Sequence, residues 1–165
     1  MAWGQVFSAH RDRIYGFCLR MMRNHEEAED ISQEVFLRAV RAIGTFRGDA
    51  SITTWLHQIA HNLCLTRLAA ARKNMESAPH WTLVDELPSD SPSAETSVVS
   101  ADLRKALEIA VGELEPVFRE AILLREVENQ SYEEIARITG TSVNTVKTRI
   151  YRARIKLRQQ LAEFR

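Results

Sequence analysis

The sequence of 165 residues is poor in helix breakers, with six glycines and four prolines, and three of those prolines (Pro79, Pro88 and Pro92) lie close together. The stretches on either side are almost free of breakers, which favours helix. Cysteine is scarcer still: Cys18 and Cys64 by themselves support neither a disulfide framework nor a zinc site. No apolar run approaches the roughly eighteen residues that a membrane span needs. The opening Met1-Ala-Trp-Gly-Gln lacks the charged and apolar regions of a secretory signal. With 45% apolar and 27% charged residues, the composition is that of a globular chain rather than a disordered one. These absences lead to the expectation of a soluble, cytoplasmic, all-α protein without membrane insertion.

What is present is unevenly charged. The formal net charge is zero, yet residues 74–100 carry five acidic side chains and no basic one, while residues 143–165 carry seven basic ones against the single Glu163. A polyanion responds to local charge, because screening limits the interaction to about 10 Å. The mean isoelectric point therefore does not argue against a nucleic-acid partner.

Residues 75–97, rich in proline, serine and acid, read as a flexible linker between a domain of residues 1–74 and another of residues 98–165. Trp81, Leu83, Val84 and Leu87 interrupt it as possible docking points. In the first domain a helix is expected over about 4–23, followed by Asn24 as an N-cap with Glu27 as its reciprocal partner. The helix that follows has the stripe Ile31, Val35, Ala39, Ile43. A loop covers Gly44–Asp49, and Ser51 caps a third helix with Leu56, Ile59, Leu63 and Leu68 inward. In the second domain a helix opens near Glu95, Pro116 suits the first turn of the next, and Ser131 with Glu134 forms a capping box. Gly140 then fits a left-handed turn. Ser142 caps a last helix whose stripe is Val143, Val146, Ile150, Ala153 and Leu157.

The short helix, glycine turn and basic final helix form a helix-turn-helix. In such a unit the N-terminal residues of the second helix reach base edges, here Asn144, Thr145, Lys147 and Thr148. Arg149, Arg152, Arg154, Lys156 and Arg158 are placed to neutralise phosphates. The plain alternative is a solvated amphipathic helix with a basic face.

Here a family resemblance becomes specific. Ser131-Tyr-Glu-Glu-Ile-Ala-Arg, then Val143-Asn-Thr-Val-Lys-Thr-Arg and Tyr151-Arg-Ala-Arg-Ile-Lys-Leu-Arg, resemble the fourth-region domain of bacterial sigma factors. Ala28-Glu-Asp-Ile-Ser-Gln-Glu-Val-Phe-Leu-Arg-Ala, Thr53-Thr-Trp-Leu and Ile59-Ala-His-Asn-Leu-Cys resemble their second-region domain. The order and spacing are similar to the extracytoplasmic-function (ECF) group of the sigma-70 family, which has these two domains and lacks the third. The chain departs from the family at His61 and Thr66, where Arg and Asp are common.

The resemblance implies a region-2 helical bundle and a region-4 helix-turn-helix, with core RNA polymerase, promoter DNA and an anti-sigma factor as partners. It implies docking on the β′ clamp helices through Asp30, Gln33, Glu34, Leu37 and Arg41, with Phe36 and Leu37 adding apolar surface, and names the β flap as a further polymerase contact. It assigns recognition of the melted −10 element to Phe46, Arg47, Thr53, Trp55 and Asn62, with Arg67, Arg72 and Lys73 on phosphates. It assigns the −35 element to Ser142, Asn144, Thr145, Lys147, Thr148, Arg149, Arg152 and Lys156. The linker would run toward the RNA exit path, where Asp85, Glu86 and Asp90 stand in for RNA.

His57-Gln-Ile-Ala-His61 has the spacing of the zincin HExxH motif, but Gln58 occupies the place of the catalytic Glu and no third ligand is evident. Cys18 and Cys64 sit in apolar helical contexts where inert thiols are usual. No metal, cofactor or catalytic residue is expected, and the chain reads as a specificity subunit rather than an enzyme. The rival reading is a stand-alone helix-turn-helix regulator with a sensing or dimerising N-terminal block.

Overall fold

Several of the helices begin where a side chain satisfies the first free amides. Asn24 Oδ1 accepts from Glu27 N at 3.0 Å, Ser51 Oγ from Thr54 N at 3.1 Å, and Ser142 Oγ from Thr145 N at 3.1 Å. These contacts remove donors that a helix start otherwise leaves to solvent. In the computed structural model, which describes residues 2–74 and 101–163, they open three of seven helices. The helices are α1 (Trp3–Met22), α2 (His25–Ala42), α3 (Ile52–Lys73), α4 (Ala101–Glu113), α5 (Pro116–Glu126), α6 (Tyr132–Thr139) and α7 (Val143–Ala162), and a 3₁₀ turn (Ile43–Thr45) follows α2. The described residues contain no strand, as an all-α reading requires. Glu95 and the acidic residues of 75–97 lie outside the described residues, as does the expected docking of Trp81.

Two details differ from the local expectation. Asn24 caps α2, but the Glu27 carboxylate turns away from the reciprocal contact and pairs with Arg67 Nη1 at 2.6 Å. A charged partner across the bundle outcompetes a backbone amide for that side chain. Phe36 is half-buried, its ring 5.6 Å from Phe7, so it belongs to the core side of α2.

Helices α1, α2 and α3 form one bundle around Ile14, Phe17, Cys18, Met21, Ile31, Val35, Leu56, Ala60 and Cys64, all essentially inaccessible to water. The neighbouring Cys18 thiol and burial push the Cys64 thiol well above its ordinary value, so the two make an inert packing pair. Helices α4 to α7 surround Leu114, Ala121, Leu124, Ile135, Ile138, Val146, Ile150 and Ala153. Ser131 and Glu134 complete both halves of the capping box, and Gly140 takes the left-handed conformation at φ 65° that turns the chain into α7.

The two bundles touch. α6 lies on α3, and α5 lies on α1. Buried Arg119 of α5 donates to the Met21 and Leu114 carbonyls, and burial lowers its pKa to about 10. Gly112 leaves room for the Arg23 guanidinium at the end of α1, which a Cβ at that position would meet.

Candidate nucleic-acid interface

On α7 the stripe Val146, Ile150, Ala153 and Leu157 is buried against α5 and α6. At 3.6 residues per turn this turns Asn144, Lys147, Thr148 and Arg152 to solvent on one side, with no acidic residue in the first turn. Thr145 is half-buried, and its hydroxyl lies 2.9 Å from Ser142 Oγ. Ser142 and Thr145 are thus joined in the cap that sets the helix start. Thr148 Oγ1 donates to the Asn144 carbonyl at 3.0 Å, which fixes its rotamer one turn into the helix. Arg149 is half-exposed.

The structure separates the basic side chains of this helix into two groups. Arg152 is exposed. Arg154 pairs with Glu126 at 2.7 Å, a contact that raises its already high pKa, and Lys156 lies 3.6 Å from Glu115 and 4.5 Å above the Phe118 ring. These two cations are engaged with their own domain in the free protein. Tyr132 braces the start of α7: its ring carries Arg125 at 4.5 Å and Lys147 at 5.9 Å.

The loop before α3 is organised by aromatic rings. Phe46 lies 4.9 Å from Trp55 and 6.1 Å from Trp3, the latter edge-on. Trp55 is half-buried and packs against the bundle core, so it holds the loop down while exposing one side. Thr53 Oγ1 is 3.2 Å from His10 Nε2. Arg47 and Asn62 are exposed, as are Arg72 and Lys73 at the far end of α3. Phe46 and Trp55 are therefore brought together, with Arg47 next to Phe46 in the chain, whereas Thr53 faces His10 of α1 and Arg72 and Lys73 stand about five turns further along the helix. Arg67 is tied to Glu27, which holds its pKa up.

On α2, Asp30, Gln33, Leu37 and Arg41 are exposed, and Glu34 is half-buried and paired with Arg38 at 3.0 Å. Leu37 is 52% exposed and Val40 56%. Val40 was not among the sequence candidates, although its position three residues after Leu37 puts both on one face. Tyr151, 65% exposed beside Arg152, was also missed; its place one turn after Lys147 was the available signal.

Comparison with known proteins extends this geometry. The family model for Sigma-70 region 2 matches residues 6–74, and that for Sigma-70 region 4 matches residues 104–157. The chain is 36% identical to the ECF RNA polymerase sigma factor SigE of Mycolicibacterium smegmatis over 98% of its length, and spans 62% of that protein. It is 33% identical to the ECF RNA polymerase sigma factor SigW of Bacillus subtilis, covering 98% of this chain and 90% of that one. Among solved structures, the sigma factor RpoE in complex with the anti-sigma factor NepR from Bartonella quintana is similar in fold, with a TM-score of 0.79 at 22% identity over 99% of this chain and 98% of that one. CnrH in complex with the cytosolic domain of CnrY gives a TM-score of 0.67 at 24% identity, covering 98% of this chain and 88% of that one.

Proposed function

The chain belongs to the sigma-70 family of RNA polymerase sigma factors, in its ECF group, and on that premise we propose that it binds core RNA polymerase and directs initiation at specific promoters. Residues 1–74 carry the polymerase contact and the −10 element, residues 75–97 the connection, and residues 98–165 the −35 element. Leu37, Val40, Asp30, Gln33 and Arg41 form the face of α2 that meets the β′ clamp helices, an apolar patch rimmed by polar groups. The second domain meets the β flap. Phe46, Arg47, Thr53, Trp55 and Asn62 hold the melted −10 strand, where aromatic faces suit unstacked bases. Asn144, Lys147 and Thr148 read −35 bases from the major groove, and Arg149 and Arg152 hold phosphates.

One observation carries this reading. α7 buries its apolar stripe and leaves a continuous acid-free face of donors, in the same chain as an aromatic-clasped loop on a second bundle. The polymerase performs the chemistry, and the chain supplies specificity in the cytoplasm, where an anti-sigma factor regulates it. Run-off transcription tests the proposal: the purified chain added to core enzyme yields a discrete product from a defined promoter, and core enzyme alone does not. A chain that binds DNA by itself and leaves core enzyme silent is a stand-alone regulator instead.

A further inference from the structure

Lys147 differs from the later cations of α7 in what holds it. Arg154 is paired with Glu126 at 2.7 Å, and Lys156 lies 3.6 Å from Glu115 as well as over Phe118. Lys147 makes no ion pair among the described residues, and its ammonium lies 5.9 Å from the centre of the Tyr132 ring. The difference is chemical. A carboxylate occupies the N–H donors of its cation through charge-assisted hydrogen bonds, which must break before DNA can use them. A ring face attracts the charge through its quadrupole and leaves the three ammonium donors free.

The ring is itself held in place. Tyr132 is the first residue of α6, directly after the capping box in which Ser131 N donates to Glu134 at 3.0 Å and Glu134 N to Ser131 Oγ at 3.1 Å. Arg125 of α5 lies 4.5 Å from the ring centre and donates to the Gln130 carbonyl at 3.0 Å. The ring is half-buried and packs against the hydrophobic core. Its hydroxyl has a different neighbour: it adds to the effect of Glu126 in raising the pKa of Arg154. Ring face and hydroxyl are therefore separable by substitution.

Lys147 stands at the start of the second turn of α7, where the proposed function puts a base contact. Lysine is poorly suited to that task unaided, because its compact charge rides on a flexible four-carbon stem. Ordering such a side chain at the moment of binding opposes association. Thr148, by contrast, is already fixed by its bond to the Asn144 carbonyl at 3.0 Å.

We propose that Tyr132 is a positioning residue for −35 recognition, a role that rests on the sigma-factor reading. Its ring face pre-orients the Lys147 ammonium toward the base edge that Lys147 reads, although Tyr132 belongs to the helix behind α7. The consequence is local: the ring sharpens preference at one position of the −35 element and leaves general affinity for DNA alone.

Holoenzyme binding to promoters substituted at each −35 base pair in turn tests the role. K147A marks the position that Lys147 reads. Y132L is expected to lower discrimination at that position by about two- to fivefold, with the other positions and the salt slope unchanged. Y132F keeps the ring face and should match the wild type. K147A/Y132L should discriminate no worse than K147A, since the ring then has nothing to orient. Y132M, flexible and without a π face, is expected to behave as Y132L and carries the test if Y132L folds poorly. Y132F as impaired as the leucine variant assigns the effect to the hydroxyl and overturns the proposal. Equal loss at every position, additive loss in the double variant, wild-type preference in Y132L and Y132M, or no preference change in K147A each overturn it too. A wild-type chain that yields no run-off product with core enzyme overturns the sigma-factor reading and this role with it. Normal initiation alongside any of the other adverse results overturns the role of Tyr132 alone.

Discussion

Arg67 Nη1 stands 2.6 Å from Glu27 Oε2, which ties the middle of α3 to the first turn of α2. The resemblance to sigma factors had assigned Arg67 to DNA phosphate, and in the free protein that cation already has a carboxylate. Both side chains are about two-fifths exposed, so the pair adds little stability, under about 1 kcal/mol. E27Q releases Arg67 and lowers the negative charge beside it. The expected result is tighter promoter binding by the holoenzyme, with a salt slope steeper by about 0.9. Binding measured at three salt concentrations checks it; an unchanged slope removes Arg67 from the phosphate contacts.

The proposed roles of the final helix separate reading from holding. Lys147 and Asn144 lie exposed in its first turns, and Arg152 lies further along without an internal acidic partner among the described residues. K147A is expected to change which −35 sequences are preferred, by roughly 1–3 kcal/mol of discrimination at the affected base. R152A is expected to weaken all sequences equally and reduce the salt slope by about 0.9. K156A, which removes a cation seated on Phe118 and near Glu115, should alter the slope less than R152A. Promoter-variant binding ranks the three.

The aromatic clasp on the loop before α3, proposed to hold the −10 strand, predicts a split between folding and melting. Phe46 and Trp55 lie 4.9 Å apart. W55A opens a cavity beside the bundle core and is expected to destabilise the chain by roughly 3 kcal/mol in urea unfolding. F46A touches less of the core, so its main effect should be loss of promoter opening. Permanganate reactivity of −10 thymines, lost in F46A while the unfolding midpoint moves less than in W55A, is the expected pattern.

The contact between the two bundles, the closed form of the chain, has a pH dependence whose sign follows from Glu128. Burial pushes its carboxyl up, but His57 of α3 and Arg13 of α1 more than reverse that, and the net pKa lies below the ordinary value. A depressed carboxyl stabilises the closed form fully above its open-form pKa, about 4.3 for an exposed Glu. That contribution is lost as pH falls through the depressed closed-form value. Scattering from pH 7 to pH 3 is expected to show expansion only at the acid end, and E128Q should lack the part of that step due to Glu128. Expansion that is identical in both proteins shows that Glu128 does not govern it.

The sequence by itself determined the local architecture. Caps at Asn24, Ser51, Ser131 and Ser142, Pro116 at a first turn and Gly140 at a left-handed one all act on backbone within four residues, so they are legible as spacing. The stripe of α7 follows from the helical period alone, and with it the exposed face that is proposed to meet DNA. Tertiary structure decided which charges are available and which are already paired. Arg67 finds Glu27 forty residues away, while Arg154 and Lys156 find Glu126 and Glu115. No periodicity encodes such pairs, because they depend on how one helix is laid against another. His57 and His61 make the point most sharply. Their spacing places both on one side of α3, and by itself invited comparison with a metal motif. Only the approach of α5 and the turn after it brings Glu120 and Glu128 to them, at 2.7 Å from His61 and 3.5 Å from His57, and makes those histidines part of an interdomain contact.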